Sequence, residues 1–132
     1  MIQFTNPQTI NLPASGAYSS LDVGVSPNGL PFTIEIKVLQ HGNPPPQFVD
    51  QNLHALANPI TFGPVSNFAM TQFNHGDQII VKTTVSNIGG ATVNTTVEHT
   101  FSNNPQIDLP TAAGSPIASG YAEVFYAEFN II

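Results

Sequence analysis

Two carboxylates near the C-terminus, Glu123 and Glu128, are the first residues whose type and spacing suggest chemistry. Paired carboxylates can cleave a glycosidic bond when they lie about 5–9.5 Å apart. An extended strand would separate Glu123 from Glu128 by roughly 17 Å, and their odd spacing sends the two side chains to opposite faces. We therefore interpret both as ordinary strand positions and not as a catalytic pair.

The histidines lack the spacing of a metal site, because no HxH or HExxH motif occurs in the chain. They are His41, His54, His75 and His99. In the segment His75-Gly76-Asp77, a polar turn ahead of a strand is favoured over a pair of ligands. His99 falls on the inward face of its strand, where a hydrogen-bonded core histidine is favoured. We therefore predict no metal site and no cofactor.

No side chain has the sequence context of a catalytic nucleophile. Ser115 lies in Gly114-Ser115-Pro116, which does not have the sequence of a nucleophile elbow. The chain contains no Arg, so no guanidinium group is present to hold an anionic substrate. Because no group of residues meets the requirements of an active site, we expect the protein not to be an enzyme.

Charged residues are scarce, and the net charge is negative. Asp, Glu, Lys and Arg make up 8% of the chain, against about a quarter in typical soluble domains. The net charge is −6, and the cationic residues are Lys37 and Lys82 alone. Nucleic acids and anionic membranes are both bound by clusters of basic side chains, so we exclude both as partners. Membrane insertion is excluded as well, because no apolar run approaches the ~20 residues that a transmembrane helix needs.

Alternation of apolar and polar residues predicts strands along the chain. The clearest strand is Phe32–Leu39, whose inward positions are Phe32, Ile34, Ile36 and Val38. A second strand precedes it, with inward positions Leu21, Val23 and Val25. The turn sequence Ser-Pro-Asn-Gly at residues 26–29 joins the two strands.

Residues 78–101 have the pattern of a β-hairpin, with alternation on both sides of the sequence Ile-Gly-Gly-Ala at 88–91. A two-residue Gly89-Gly90 loop would pair Val85 with Asn94, which sets an apolar residue against a polar one. A loop of odd length keeps the apolar faces matched. We therefore predict a three-residue loop with a bulge that glycine allows.

The C-terminal residues 121–131 predict a last strand that is apolar on both faces. Its inward positions are Phe125, Ala127 and Phe129, and Val124 and Tyr126 occupy the other face. Outer apolar residues of this kind are expected to be covered by another subunit.

Four other segments are less regular. Residues 67–73 predict a further strand, and residues 2–12 predict an extended segment that can pair with a sheet edge. The sequence QNLHALA at 51–57 could form one or two helical turns before Pro59 ends them. Residues 102–120 predict a long loop.

The fold class follows from the frequency of Pro and Gly along the chain. Twelve Pro and ten Gly divide the chain into short segments, as in all-β sandwiches and barrels. We predict an all-β, single-domain antiparallel β-sandwich over residues 1–132, jelly-roll-like or immunoglobulin-like, with about seven to eight strands. Residues 1–12 are expected to form an extended N-terminal arm.

Our leading interpretation is a non-enzymatic structural protein that self-assembles into a homo-oligomer or larger assembly. It would be a virion decoration, capsid or fibre-type subunit, or a subunit of a surface appendage. Few charges lower the desolvation cost of burying surface between subunits, and the N-terminal arm could add a strand to a neighbouring sheet. The residues expected at subunit contacts are Ile2, Phe4, Val124, Tyr126, Ile131 and Ile132.

The alternative is a carbohydrate-binding, lectin-like or adhesion module, with a glycan as its partner. The chain is rich in neutral polar side chains, and Tyr18 and Tyr126 could stack on a sugar, although it contains no Trp. Either role places the protein outside the cell or on the surface of a virion or appendage. We expect no signal peptide, because the first residues lack a basic segment and an apolar stretch.

Overall fold

The computed structural model is all-β, with two sheets packed face to face as a β-sandwich. It describes residues 2–4, 8–12, 20–39, 48–54, 58–62, 76–102, 107–108 and 115–131. Every regular element among these residues is a strand, which confirms the predicted fold class at this level. In the part that the structure describes, no helix is long and apolar enough to cross a membrane.

The described strands include seven of five residues or more, in agreement with the predicted number. In chain order they are β1 (Ile2–Phe4), β2 (Gln8–Leu12), β3 (Ser20–Ser26), β4 (Phe32–Leu39), β5 (Phe48–His54), β6 (Ile60–Phe62), β7 (Gln78–Ser86), β8 (Val93–Ser102), β9 (Ile107–Asp108), β10 (Ser115–Ile117) and β11 (Ala122–Ile131).

The first sheet has the order β1-β11-β7-β4-β5, and β2 lies beside β11 next to β1. Strand β7 is its centre, antiparallel to β4 and β11. Strands β1 and β2 run parallel to β11, with Ile2 opposite Ala122 and Gln8 opposite Ala127. The N-terminal segment therefore pairs with the last strand of its own chain.

The second sheet is smaller and is built around β8. Strand β3 pairs with β8 over seven residue pairs, from Ser20 opposite Ser102 to Ser26 opposite Thr96. Strand β6 lies on the outer side of β3, and the short strands β9 and β10 lie along β8. All pairings in this sheet are antiparallel.

One hydrophobic core lies between the two sheets. The alternation in sequence predicts its strands correctly: Leu21, Val23 and Val25 of β3 are buried, and so are Ile34, Ile36 and Val38 of β4. Phe32 is half-buried and packs against this core. The predicted inward residues of β11 are buried as well: Phe125, Ala127 and Phe129.

The predicted hairpin over residues 78–101 is wrong. Strands β7 and β8 do not pair with each other, because β7 belongs to the first sheet and β8 to the second. The connection at residues 87–92 therefore crosses the edge of the sandwich, and each strand directs its apolar side into the core from opposite sheets. The turn at residues 26–29 joins β3 to β4 as predicted, and it too crosses between sheets.

Two further predictions need correction. The helical turns predicted for 51–57 are wrong as far as His54, because these residues belong to β5, which pairs with β4 from Thr33 opposite His54 to Leu39 opposite Phe48. The predicted loop at 102–120 contains the short strands β9 and β10. The strand predicted at 67–73 lies outside the described residues.

Candidate functional site

The carboxylates Glu123 and Glu128 lie on opposite faces of β11, as their spacing predicts. Glu123 is 4% exposed and points into the sandwich, whereas Glu128 is half-buried on the outer face. There its carboxylate accepts a hydrogen bond from the side-chain amide of Gln78. The pair cannot act on one bond, because the sheet separates the two groups.

His99 occupies the inward position that the sequence predicts and is 2% exposed. Its ring lies edge-to-face against Phe129, with ring centroids 5.1 Å apart. The expected hydrogen bond is absent at Nδ1, which is buried without a partner. Because burial disfavours the charged imidazolium, the pKa of His99 falls from 6.5 to about 4. His99 is thus a neutral core residue.

Metal-binding clusters are absent from the part of the chain that the structure describes: no group of three or more His, Asp or Glu could hold a metal ion there. His54 is the last residue of β5. His41 and His75 lie outside the described residues, and Asp77, two residues after His75, is buried.

The subunit contacts predicted on β11 are placed as follows. Val124 is 4% exposed and Ile131 is 1% exposed, and Ile131 belongs to the core of its own chain. These two residues therefore have little surface to offer a second subunit. Tyr126 is half-buried on the outer face of the first sheet, opposite Lys82 in the register, and its role stays a prediction.

The contacts predicted at the chain ends are less fully described. Ile2 and Phe4 belong to β1, whose backbone pairs with β11 of the same chain at Ala122 and Val124. Ile132 lies outside the described residues. A contribution of these three residues to a second subunit stays a prediction.

An apolar depression at one end of the sandwich is the first candidate binding surface. It encloses about 420 Å³ and is lined by residues 27–31, residues 87–91 and Val93, which we name the loop platform. At the base of the two loops, Ser86 N, at the end of β7, donates a hydrogen bond to the carbonyl oxygen of Pro31 (2.9 Å). No residue of the loop platform is charged.

Ile88 is the most unusual residue of the loop platform. Its side chain is 81% exposed, and it is the one exposed large hydrophobic residue among those whose side-chain burial the structure describes, residues 20–39, 58–62, 76–101 and 116–131. Single exposed apolar residues are common on protein surfaces. Ile88 differs because it lies beside an apolar depression and because the loop that carries it is held in place by hydrogen bonds.

The side chain of Asn87 holds that loop. Asn87 is 1% exposed, and its Nδ2 donates to the carbonyl oxygens of Ala91 and Ile117, both at 2.8 Å. Its Oδ1 accepts a hydrogen bond from Gly89 N at 3.0 Å. The amide group thus uses both its hydrogens and its oxygen, and it fixes the backbone on either side of Ile88.

Backbone hydrogen bonds join the same loop to the turn before β11. Asn87 N donates to the carbonyl oxygen of Tyr121 (2.9 Å), and Gly120 N donates to the carbonyl oxygen of Asn87 (2.8 Å). The hydroxyl of Ser119 donates to the carbonyl oxygen of Gly89. Gly120 has φ +81°, a conformation that favours glycine. The loop platform is therefore a preformed surface.

Sequence reasoning assigned Ile88 to a turn and gave it no role. The available signal was an apolar β-branched residue beside two glycines, outside any alternating pattern. The sequence does not show that the connection at 87–92 crosses between the sheets and brings Ile88 beside residues 27–31.

A second depression of about 340 Å³ adjoins the loop platform and has polar walls. It lies on the outer face of β3 and β8, and Asn28 contributes to both depressions. We name it the polar groove; its main residues are Asp22, Gly24, Asn28, Asn58, Pro59 and Glu98.

Comparisons with known proteins give no relative: no family model matches the chain, and no curated protein or solved structure matches it significantly.

Proposed function

We propose that this protein is a non-enzymatic structural subunit that self-associates, with the loop platform as a two-fold contact between copies. The observation that carries the proposal is Ile88, 81% exposed on a loop held by a buried asparagine. In a two-fold contact, Ile88 of each copy enters the apolar depression of the other. Such self-complementary contacts are the commonest kind in homo-oligomers.

Charge favours this surface over others. The chain carries a net charge of −6, so two copies repel each other wherever carboxylates meet. None of the eight carboxylate residues lies in the loop platform. Screening in physiological salt acts over about 8 Å. Two copies that meet at the loop platform therefore place no carboxylate within the contact itself.

Preformed loops also favour association, because ordering flexible segments opposes binding. Complete burial of an isoleucine side chain contributes about 1.5–3 kcal/mol. A two-fold contact buries Ile88 twice and adds the apolar surface of Leu30, Pro31 and Val93. The residues that contribute most to binding between proteins are typically side chains that fill a well-packed pocket on the partner.

We also propose that the sandwich is of the jelly-roll-like or immunoglobulin-like type. In a sandwich of the jelly-roll-like or immunoglobulin-like type, loops cluster at the ends of the sheets, where recognition surfaces form. A larger assembly, such as a virion coat or a surface appendage outside the cell, would need a further contact besides the loop platform. Tyr126 and the N-terminal arm stay our predictions for it.

Cross-linking of single cysteine variants tests the proposed contact, because the chain contains no Cys. Ala91→Cys places a thiol in the loop platform, and Asn94→Cys places one at an exposed position on β8. We expect a short bismaleimide to cross-link Ala91→Cys into dimers much faster than Asn94→Cys. Equal cross-linking of the two variants would contradict a contact at the loop platform.

A further inference from the structure

The polar groove has a rigid wall made by one asparagine side chain. Val25 N donates to Asn58 Oδ1 at 2.9 Å, and Asn58 Nδ2 donates to the carbonyl oxygen of Val25 at 2.6 Å. The amide group thus pairs with Val25 as a neighbouring strand would. Asn58 Nδ2 also donates to Asn28 Oδ1 at 2.7 Å, which holds the Asn28 side chain at the rim. The groove is therefore shaped before any ligand arrives.

The floor of the polar groove is open because residue 24 is a glycine. A Cβ atom at this position would lie 3.5 Å from Pro59 Cβ and 3.6 Å from Asn58 Oδ1, which are ordinary contact distances. Without that atom, the backbone of Gly24 and the ring of Pro59 form an uncharged surface between polar walls. The volume of about 340 Å³ suits a small ligand.

Two carboxylates stand on the walls of the polar groove. Gly24 is opposite Glu98 and Asp22 is opposite Thr100 in the register of β3 and β8, so Asp22 and Glu98 are diagonal neighbours. Glu98 is exposed, whereas Asp22 is half-buried and its Oδ1 is enclosed without a hydrogen-bond partner. Water stabilises such a carboxylate incompletely, so a donor that reaches its second oxygen forms a stronger hydrogen bond than in bulk water.

We propose that the polar groove binds a carbohydrate. Neighbouring hydroxyl groups of a sugar ring donate to the carboxylates of Asp22 and Glu98, and the amide nitrogen of Asn28 donates to a sugar oxygen. The apolar C–H face of the ring lies over Gly24 and Pro59. Two carboxylates repel an anionic ligand, and a bare ammonium group, which has no acceptor, would leave the Asn28 donors unused.

The carbohydrate site is separate from the contact proposed between subunits. Asp22, Gly24 and Glu98 lie outside the loop platform, and Asn28 is the residue that the two depressions have in common. Sugar binding is therefore expected to survive in a variant that does not self-associate.

The test is a panel of neutral sugars at millimolar concentration: glucose, galactose, mannose, N-acetylglucosamine, cellobiose and lactose. Saturation-transfer NMR detects binding and calorimetry gives the affinity. We expect at least one sugar to bind to the unmodified protein. That sugar should bind at least tenfold more weakly to Asp22→Asn, which removes the negative charge, and to Gly24→Ala, which fills the floor of the polar groove. Asn94→Ala is the control, because Asn94 is exposed and lies outside both the polar groove and the loop platform.

The proposal is overturned if no sugar of the panel binds, or if the Asp22 and Gly24 variants bind as the unmodified protein does. Tighter binding of putrescine or calcium than of every sugar would assign the groove to cations instead. The Ile88→Ser variant separates the two proposals: we expect it to keep sugar binding whether or not it self-associates. Loss of sugar binding in that variant would contradict an independent site.

Discussion

Replacing Asn87 with alanine is expected to destabilise the protein and to release the loop that carries Ile88. The substitution removes three side-chain hydrogen bonds, to Ala91, Ile117 and Gly89. Each contributes about 0.5–1.5 kcal/mol, and a buried carbonyl left without its donor adds to the cost. We expect the free energy of unfolding to fall by about 3 kcal/mol, a large part of the 5–15 kcal/mol of a typical domain.

Urea unfolding followed by circular dichroism measures this loss. With a slope of about 1–3 kcal/mol per molar urea, the midpoint is expected to fall by about 1–3 M. Asn94→Ala is the matched control, because Asn94 is exposed and its replacement should change stability by less than about 0.5 kcal/mol. A loss below about 1 kcal/mol for Asn87→Ala, or equal losses for both variants, would refute the idea that the Asn87 side chain holds the loop.

Three further outcomes follow from the structure. Because burial lowers the pKa of His99 from 6.5 to about 4, the free energy of unfolding should fall by about 3 kcal/mol as pH falls from 6.5 to 4. Urea titrations across this range should show a smaller loss for His99→Phe, and equal losses would contradict a neutral, buried His99. Phe129→Ala removes a buried ring that contacts His99 and Phe101, and chemical unfolding should show a loss of about 3–5 kcal/mol, whereas a loss under about 1 kcal/mol would contradict its place in the core. Gly29→Ala should lower the free energy of unfolding by about 1–2 kcal/mol, because the φ of Gly29 is +96°. Gly90→Ala, at a position whose φ is not left-handed, should leave that free energy nearly unchanged in thermal unfolding, and the same loss for both variants would show that backbone strain is not the cause.

The strands themselves were largely predictable from the sequence. The period of two in β4 placed Ile34, Ile36 and Val38 in the core, and the same reasoning placed Phe125 and Phe129 there. Alternation is a reliable signal in this chain because each sheet has one face in the core and the other facing outward.

The partners of the strands were not predictable from the same pattern. Alternation specifies which side of a strand is apolar, but two strands with matching apolar sides can be neighbours in one sheet or can face each other across the core. The hairpin hypothesis for β7 and β8 assumed the first case, whereas the structure has the second. For β5, pairing with residues 33–39 of β4 outweighed the weak helical preference of residues 51–54.

The two candidate surfaces could not be derived from the sequence because both combine distant segments. Asn87 bonds to Ile117, thirty positions away, and Asn58 bonds to Val25, thirty-three positions away. Neither asparagine belongs to a motif, so its role depends on the arrangement of the sheets. The surroundings of Ile88 could not be derived either, because they depend on the connection between β7 and β8 crossing from one sheet to the other.

The mass of the purified protein in solution, measured by light scattering over a range of concentrations, tests the central claim most directly. We expect the unmodified protein to form a dimer or a larger assembly of defined size, and Ile88→Ser to shift it to smaller species with unchanged urea unfolding. A monomer at every concentration, or an Ile88→Ser variant with the mass of the unmodified protein, would contradict self-association through the loop platform.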